Sequence, residues 1–137
     1  MTTPETQSGT HTGRLVDLEA DECWALATSQ PVGRLAWTGP DGPTVVPVNF
    51  EVTGRRVHVR TAAYSALARE CDDSLVAFEV DAFDTDTRSG WSVLMRGRAH
   101  LDYGGADGSD EPDVWPGGSH ALHVSIDVEK VSGRRVS

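Results

Sequence analysis

The segment TVVPVNFEVTGRRVHVRTAAYSALAREC, residues 44–71, is the part of the sequence from which the fold is predicted. On either side of Gly54-Arg55, apolar side chains occupy alternate positions, a period that is typical of half-buried strands. The segment therefore predicts a strand, a tight turn and a second strand. Pro47 has no N–H group for a sheet ladder, which predicts an edge, a bulge or a non-strand neighbour at this point.

The end of this segment has the features of a generic anion site. Arg60 and Thr61 close the second strand, and a short helix is predicted to begin at about Ser65. An arginine, a hydroxyl and the free N–H groups of a helix N-terminus all attract anions. A simpler interpretation also fits, in which Ser65 only caps the helix and Arg60 is a solvated strand residue. The sequence pattern alone leaves both interpretations open.

Four further strands are predicted from the same alternation, over residues 32–38, 75–83, 91–101 and 121–128. Gly97, within the third of these, indicates a bulge or the close approach of another backbone. The total is six strands, and the helices lie in connections instead of alternating with every strand. The predicted fold class is therefore mainly β, a six-stranded antiparallel barrel with two short helices.

The N-terminal part of the chain is predicted to contain a helix. Apolar residues recur at near-helical spacing from Leu15, and Asp17 is the expected N-cap. Residues 1–13 have no hydrophobic periodicity and are predicted to be a disordered tail. Residues 103–119 are predicted to be a solvated loop. Residues 14–137 are expected to form a single domain, because the chain is too short for two domains of ordinary size.

Composition and charge disfavour several functional classes. The 137 residues have a formal net charge of −9, which argues against a nucleic-acid surface and against adsorption to anionic membranes. No apolar run approaches the roughly 20 residues of a membrane helix, and the N-terminus lacks a signal-peptide pattern, so a cytoplasmic location is expected. The only lysine is Lys130. Anions must therefore be bound mainly by arginine, hydroxyls or backbone amides.

No catalytic residue is predicted. The sequence has no GxSxG, phosphate-loop, HExxH or GxGxxG motif, and nothing marks an activated serine. Cys23 and Cys71 have no CxxC partner and are predicted to be reduced, half-buried helix residues. No metal site is predicted either, because His120 and His123 would lie on opposite faces of a strand. Chemistry supplied by a bound cofactor remains open.

Three longer strings carry a family resemblance: GRLAWTGPDGPTVVPVNFEV (33–52), VHVRT (57–61) and VAFEVDAFDTDTRSGWSVLMRGRAH (76–100). They resemble the pyridoxamine 5′-phosphate oxidase-like family of flavin-binding split barrels, and in particular its small actinobacterial-type members. The resemblance runs from about Leu15 to Arg135. It implies the FMN-binding split-barrel fold. It also implies a homodimer with two cofactor sites, each built from both chains.

The resemblance assigns nine residues to each cofactor site. It implies that a four-residue strand segment lies along the isoalloxazine ring, and that three residues at the strand–helix junction reach the ribityl chain and phosphate. It also implies that two residues line the ring site from the neighbouring strand or the partner chain. In this order, the residues are Val46, Pro47, Val48 and Asn49; Arg60, Thr61 and Ser65; and Trp91 and Ser92. For Trp91, a place in the core or at its rim is the alternative interpretation.

One position departs from the family pattern. Members that bind the flavin phosphate well carry a Gly-Ser/Thr-Lys run where this chain has Tyr64-Ser65-Ala66. A charged contact to phosphate contributes about 1.5–3 kcal/mol, and this is equivalent to roughly ten- to a hundredfold in affinity. The predicted cofactor is FMN, with the deazaflavin F420 as the alternative. The missing basic residue at Ala66 leaves open that no cofactor is bound.

Two functions from different classes follow from the resemblance. The first is an FMN- or F420-dependent oxidoreductase that acts on a small organic substrate by hydride transfer. The second is a degenerate, non-catalytic split-barrel dimer that binds another small ligand or a partner. Heme or tetrapyrrole handling ranks last, because its axial-ligand candidates, His58 and His100, are expected only in polar surface or cleft positions.

Overall fold

The computed structural model describes residues 14–62, 65–102 and 121–137. Four features of the sequence prediction lie outside the described residues, namely the tail over residues 1–13, Tyr64, the loop over residues 103–119 and the position of His120 relative to His123. In chain order the described elements are β1 (Leu15–Asp17), α1 (Ala20–Ala27), β2 (Val32–Gly39), β3 (Gly42–Thr53), β4 (Arg56–Ala62), α2 (Ala66–Glu70), β5 (Ser74–Asp84), β6 (Ser89–Asp102) and β7 (Ala121–Val136).

Six antiparallel strands form a closed ring in the order β7, β4, β3, β2, β5 and β6, and β6 pairs back onto β7. This ring confirms the predicted mainly β fold with a six-stranded antiparallel barrel and two short helices. The three-residue β1 extends the sheet where Leu15 pairs with Val136. In the described ranges, no helix is long and apolar enough to cross a membrane.

The N-terminal helix begins later than predicted, and the prediction that Asp17 caps it was wrong. Residues Leu15–Asp17 form a strand with β7, and α1 follows after Glu19, whose side chain makes no capping hydrogen bond. Helical spacing of apolar residues was misleading because pairing with the end of β7 outweighs local helix preference here. Leu15 is 60% exposed, so its apolar character reflects no buried helix face.

The barrel interior is filled by alternate side chains of its strands, as the sequence alternation predicts. Phe50 and Phe78 meet edge to face inside the barrel, with 4.9 Å between their ring centroids. No polar or charged side chain is buried among the described residues, so apolar burial is the main stabilising contribution to this core. The fully buried strand residues include Leu35, Val57, Val59, Phe78, Val80, Val93, Met95, Val124 and Ile126.

A bulge interrupts the pairing of β6 with β7. Arg96 lies opposite Lys130, whereas the next residue, Gly97, lies opposite Val128. Glu129 is therefore the extra residue on β7. Both alternatives predicted for Gly97 are confirmed at this one position, because the backbone of β7 also approaches it closely.

Gly97→Ala is expected to lower the free energy of unfolding by about 1–3 kcal/mol, the usual range for overpacking. The added Cβ would overlap the carbonyl oxygen of Asp127, which is backbone and cannot rotate away. Urea denaturation followed by circular dichroism measures the change. Val45→Ala is the control, because Val45 is 62% exposed and its loss is expected to change stability by less than about 0.5 kcal/mol. Equal unfolding midpoints for Gly97→Ala and the wild type would contradict the close approach.

Candidate functional site

The candidate site is a split between two neighbouring strands of the barrel. β3 pairs with β4 only from Phe50 opposite Val59 to Thr53 opposite Arg56. Beyond this short ladder, β3 continues beside β2 and β4 continues beside β7. Residues 43–49 and 60–62 therefore form the two sides of an opening in the barrel wall.

The edge of β3 that faces the split is defined by its hydrogen bonds to β2. Phe50 N donates to Pro31 O at 3.3 Å, so by alternation the even-numbered residues of β3 bond to β2. The odd-numbered residues direct their backbone groups into the split. Pro47 is one of them, so its missing N–H removes no ladder bond, and the predicted edge at Pro47 is confirmed. Asn49 directs its backbone N–H and C=O into the split beside it.

Seven of the nine residues assigned by the resemblance lie along the two sides of the split. On β3, Pro47 and Asn49 are exposed, while Val46 and Val48 pack partly against the core. A ligand in the split would therefore meet Pro47 and Asn49 directly. Val46 and Val48 direct their backbone groups to β2 and pack partly against the core, so they lie behind this edge. The residues from the other side of the split are Arg60, Thr61 and Ser65.

Two hydroxyls meet at the junction of β4 and α2. Thr61 Oγ1 lies 3.0 Å from Ser65 Oγ. The same Ser65 oxygen accepts a hydrogen bond from Ala68 N at 3.2 Å, so the predicted N-cap role of Ser65 is confirmed. α2 has only five residues, so the contribution of its dipole to anion binding is small. Anion binding at this junction would depend chiefly on Arg60 and the hydroxyl pair.

Arg60 supplies positive charge to this side of the split. Its side chain is half-buried, and burial lowers the pKa of the guanidinium, an effect that the carboxylate of Glu51 opposes. An arginine nevertheless stays protonated in proteins. Arg60 lies opposite His123 in the β4–β7 ladder, and its charge contributes to lowering the pKa of that imidazole.

A histidine pair next to the split was not predicted. His58 Nδ1 lies 3.0 Å from His123 Nε2, with the rings stacked at 5.1 Å between centroids, and His58 Nε2 lies 2.6 Å from Thr53 Oγ1. The sequence places both histidines on outward positions of strands, but only the register between β4 and β7 makes them neighbours. Both ring nitrogens of His58 are thus engaged, so axial ligation of a heme would require breaking a contact. The other candidate, His100, lies 3.3 Å from Asp127 Oδ2.

Burial is the main reason that the pKa of each paired imidazole lies below its ordinary value. For His58, the second cause is the charge of His123 and the third is that of Arg56, while Glu51 acts in the opposite direction. For His123, Arg60 lowers the pKa after burial, and Asp102 opposes it. The pair is therefore held in its neutral form, in which one imidazole donates to the other.

Trp91 and Ser92 do not lie at the split of their own chain. Trp91 is 8% exposed and packs in the core cluster, which agrees with its alternative interpretation as a core aromatic. Trp91 pairs with Arg135 near one end of the 16-residue β7, whereas Thr61 pairs with Leu122 near the other end. A place for Trp91 and Ser92 in the site of a second copy of the chain stays a prediction.

A pair of carboxylates lies next to Ser92 on the outer face of the barrel. Arg34 Nη1 lies 3.5 Å from Glu79 Oε1 and 3.4 Å from Asp81 Oδ2, and Asp81 pairs across strands with Ser92. Burial, and then the neighbouring carboxyl of Asp81, raise the pKa of Glu79 to about 7, while Arg34 acts in the opposite direction. Glu79 therefore exchanges a proton near neutral pH. The alternation of the sequence did not single it out, because its burial and its contact with Arg34 of β2 depend on strand pairing.

The two cysteines provide no nucleophile. Both are fully buried rather than half-buried as predicted, and both are free thiols. Burial, with a smaller effect of Glu70, raises the pKa of Cys71 to about 12, and burial also raises the pKa of Cys23. Protonated thiols are poor nucleophiles and poor metal ligands. Within residues 14–62, 65–102 and 121–137, no group of three or more His, Cys, Asp or Glu side chains could hold a metal ion.

The closed antiparallel ring and its split define the class of this protein as a split barrel. The family model described as "Pyridoxamine 5′-phosphate oxidase" matches residues 19–135. The chain therefore belongs to the pyridoxamine 5′-phosphate oxidase family, as its sequence resemblance implied.

Individual relatives agree with this assignment. An FAD binding protein from Mycobacterium smegmatis is 31% identical, with a TM-score of 0.69 over 89% of this chain and 98% of that chain. An FAD-binding protein from Mesorhizobium loti is 24% identical, with a TM-score of 0.69 over 90% of this chain and 99% of that chain, and it supports the fold alone. "Uncharacterized protein Rv0080" of Mycobacterium tuberculosis is 38% identical over 90 residues, which are 62% of this chain and 59% of that protein. The match thus spans less than two thirds of this curated relative.

Acidification below about pH 6.5 is expected to destabilise the wild type partly through the histidine pair. An imidazole whose pKa is lower in the folded state contributes stability that is complete above its unfolded pKa of about 6.5 and is lost as the pH falls through the folded pKa. His123→Gln should therefore show a smaller loss of unfolding free energy between pH 7 and pH 5 than the wild type.

The matched control for this experiment is His100→Gln, which removes a 47% exposed imidazole outside the pair. Its loss of stability between pH 7 and pH 5 is expected to exceed that of His123→Gln. Urea denaturation at each pH provides the measurement. The same pH dependence in His123→Gln and in the wild type would show that the pair is not held neutral.

Proposed function

We propose that this chain binds a flavin, FMN or the deazaflavin F420, in the split between β3 and β4. In this proposal it acts as an oxidoreductase on a small organic substrate. The observation that carries the proposal is the split itself, which has an open strand edge at Pro47 on one side and Arg60 with two hydroxyls on the other. The M. smegmatis relative, named an FAD binding protein and 31% identical, supports a flavin as the cofactor class.

The residues of the split fit the two ends of such a cofactor. The open edge of β3 offers a flat surface at Pro47 and backbone hydrogen-bonding groups at Asn49, which suit a planar ring with a polar rim. Arg60, Thr61 and Ser65 offer a cation and hydroxyl donors, which suit a phosphate. A bound flavin supplies hydride transfer, and the residues of this chain position it and exclude water.

Two copies of the chain are needed to complete the proposed site. Trp91 and Ser92 of β6 pair with one end of β7 and Thr61 of β4 pairs with the other end, so in this proposal they line the ring from a second copy. A homodimer with two equivalent sites satisfies this requirement, since each copy then completes the site of the other. In such a dimer Glu79, with its pKa of about 7, accompanies Ser92 and is a candidate for proton transfer near the ring.

A second candidate function is supported by Ala66. This residue is the first of α2, directly after Ser65, and it places a methyl group where a lysine is expected from the family resemblance. A split with weakened phosphate binding would leave a non-catalytic dimer that binds a different small ligand. FMN affinity therefore separates the two candidates.

Ala66→Lys is expected to raise the affinity for FMN by roughly ten- to a hundredfold, because it adds a charged contact to the phosphate. Arg60→Gln is expected to lower the affinity by at least about tenfold for the same reason. Titration followed by flavin absorbance and fluorescence measures both, with FAD and F420 titrated in parallel to rank the cofactors.

The control for charge is Ala25→Lys, which adds the same charge on the exposed side of α1 and should leave FMN affinity unchanged. If Ala66→Lys binds FMN and the wild type does not, the split itself is intact but the natural chain lacks a sufficient phosphate contact. That result favours the second candidate function. If neither the wild type nor Ala66→Lys binds FMN, FAD or F420, the proposal of a flavin in the split is wrong.

A further inference from the structure

A cavity lies on the outer face of the barrel, and its lining residues come from five strands, β2, β3, β5, β6 and β7. Strand register places Ala36 beside Ala77, Ala77 beside Arg96, and Arg96 beside Lys130. The adjacent residues Leu35, Phe78 and Met95 are fully buried, so this row points outward. The cavity above this row of residues has a volume of about 470 Å³.

The floor of this cavity is apolar and is formed by side chains that are small for a strand. Alanine is depleted in strands, and here Ala36 and Ala77 lie side by side where larger residues would fill the space. Leu75, 62% exposed, and Pro43 contribute apolar walls, and Trp37 also lines the cavity. A flat apolar group of modest size fits this surface. The volume lies within the range of about 300–1,000 Å³ that is typical of small-molecule sites.

Two cations lie at one side of the apolar floor. Arg96 and Lys130 face each other across β6 and β7, and like charges in directly opposed positions are destabilising. Neither side chain forms an ion pair with any residue that the structure describes. Glu129, the extra residue of the bulge, also lines the cavity, so its lining carries two positive charges and one negative charge.

This arrangement differs from that of other arginines in the chain. Four of them pair with carboxylates, namely Arg34, Arg56, Arg98 and Arg135. The protein has a net charge of −9, so carboxylates that could pair with a cation are plentiful. Its single lysine, Lys130, nevertheless lies opposite a second cation, Arg96. Opposed cations beside an apolar floor are expected where an anion is bound, because the anion relieves their repulsion.

We propose that this cavity binds a small organic anion. Its carboxylate or phosphate would lie between Arg96 and Lys130, and its flat apolar part would lie on Ala36 and Ala77. Pro43, at the far end of the β3 edge, is shared with the split, but none of the nine residues assigned to the flavin site lines the cavity, so the two sites are separate. The proposal therefore does not depend on flavin binding.

The test is isothermal titration of the full-length protein with 2-naphthoate and 2-naphthyl phosphate at low ionic strength. Uncharged 2-naphthamide is the matched ligand without an anionic group. Both anions are expected to bind at least about tenfold more tightly than the amide, and the two affinities rank carboxylate against phosphate. Arg96→Gln and Lys130→Gln should each weaken the anions by about tenfold or more. Ala77→Leu should abolish binding, because its side chain fills the floor.

Two variants act as controls. Arg14→Gln removes the same charge at an exposed position beside the C-terminal end of β7 and should bind the anions as the wild type does. Arg60→Gln should weaken FMN but not the naphthyl anions. Circular dichroism checks that each variant is folded, and the exposed substitution Arg96→Gln keeps the test decisive if Ala77→Leu misfolds.

Several results would overturn the proposal. Equal affinities for naphthoate, naphthyl phosphate and naphthamide would mean that the cavity recognises no charge. Unchanged affinities in Arg96→Gln and Lys130→Gln would place the anions elsewhere. Equal weakening of the anions by Arg60→Gln would place them in the split. Absence of binding at millimolar concentrations of both anions would contradict the site altogether.

Discussion

The change of partner along β3 is the constraint on which the rest of this structure depends. Its 12 residues pair with β2 over most of their length, but with β4 only over the last four residues. That short ladder is enough to close the ring, since β4 then follows β7 and β7 follows β6. Because β3 and β4 separate beyond Phe50 and Val59, one edge of β3 stays unpaired although the ring of strands is closed. Pro47 suits this arrangement, because a proline has no N–H group with which β3 could continue its ladder to β4.

The outer cavity and the side chains of Pro47, Asn49 and Arg60 at the split use outward positions of the strands, which the core does not need. Inward positions carry the apolar side chains, and none of the described polar or charged side chains is buried. Outward positions are therefore available for recognition, and the register decides which residues meet there. Register brings Arg96 opposite Lys130. It also makes neighbours of His58 and His123.

The sequence predicted those features that depend on local pattern. Alternation identified the six barrel strands, the missing N–H of Pro47 indicated an edge as one of three alternatives, and a cap pattern identified Ser65. Features that depend on tertiary pairing were missed. Leu15 was placed in a helix because its spacing is helical, whereas pairing with Val136 makes it a strand. The contact of His58 with His123 joins residues 65 positions apart, and no local pattern encodes the register between β4 and β7.

A crystal structure of the protein grown with excess FMN tests the central claim most directly. The account predicts a dimer in which the ring lies along the Pro47–Asn49 edge of β3 and the phosphate contacts Arg60, Thr61 and Ser65. It also predicts that Trp91 and Ser92 from the second copy line the same ring. FMN bound away from the split, or bound in the split of a single chain without a second copy, would contradict the account.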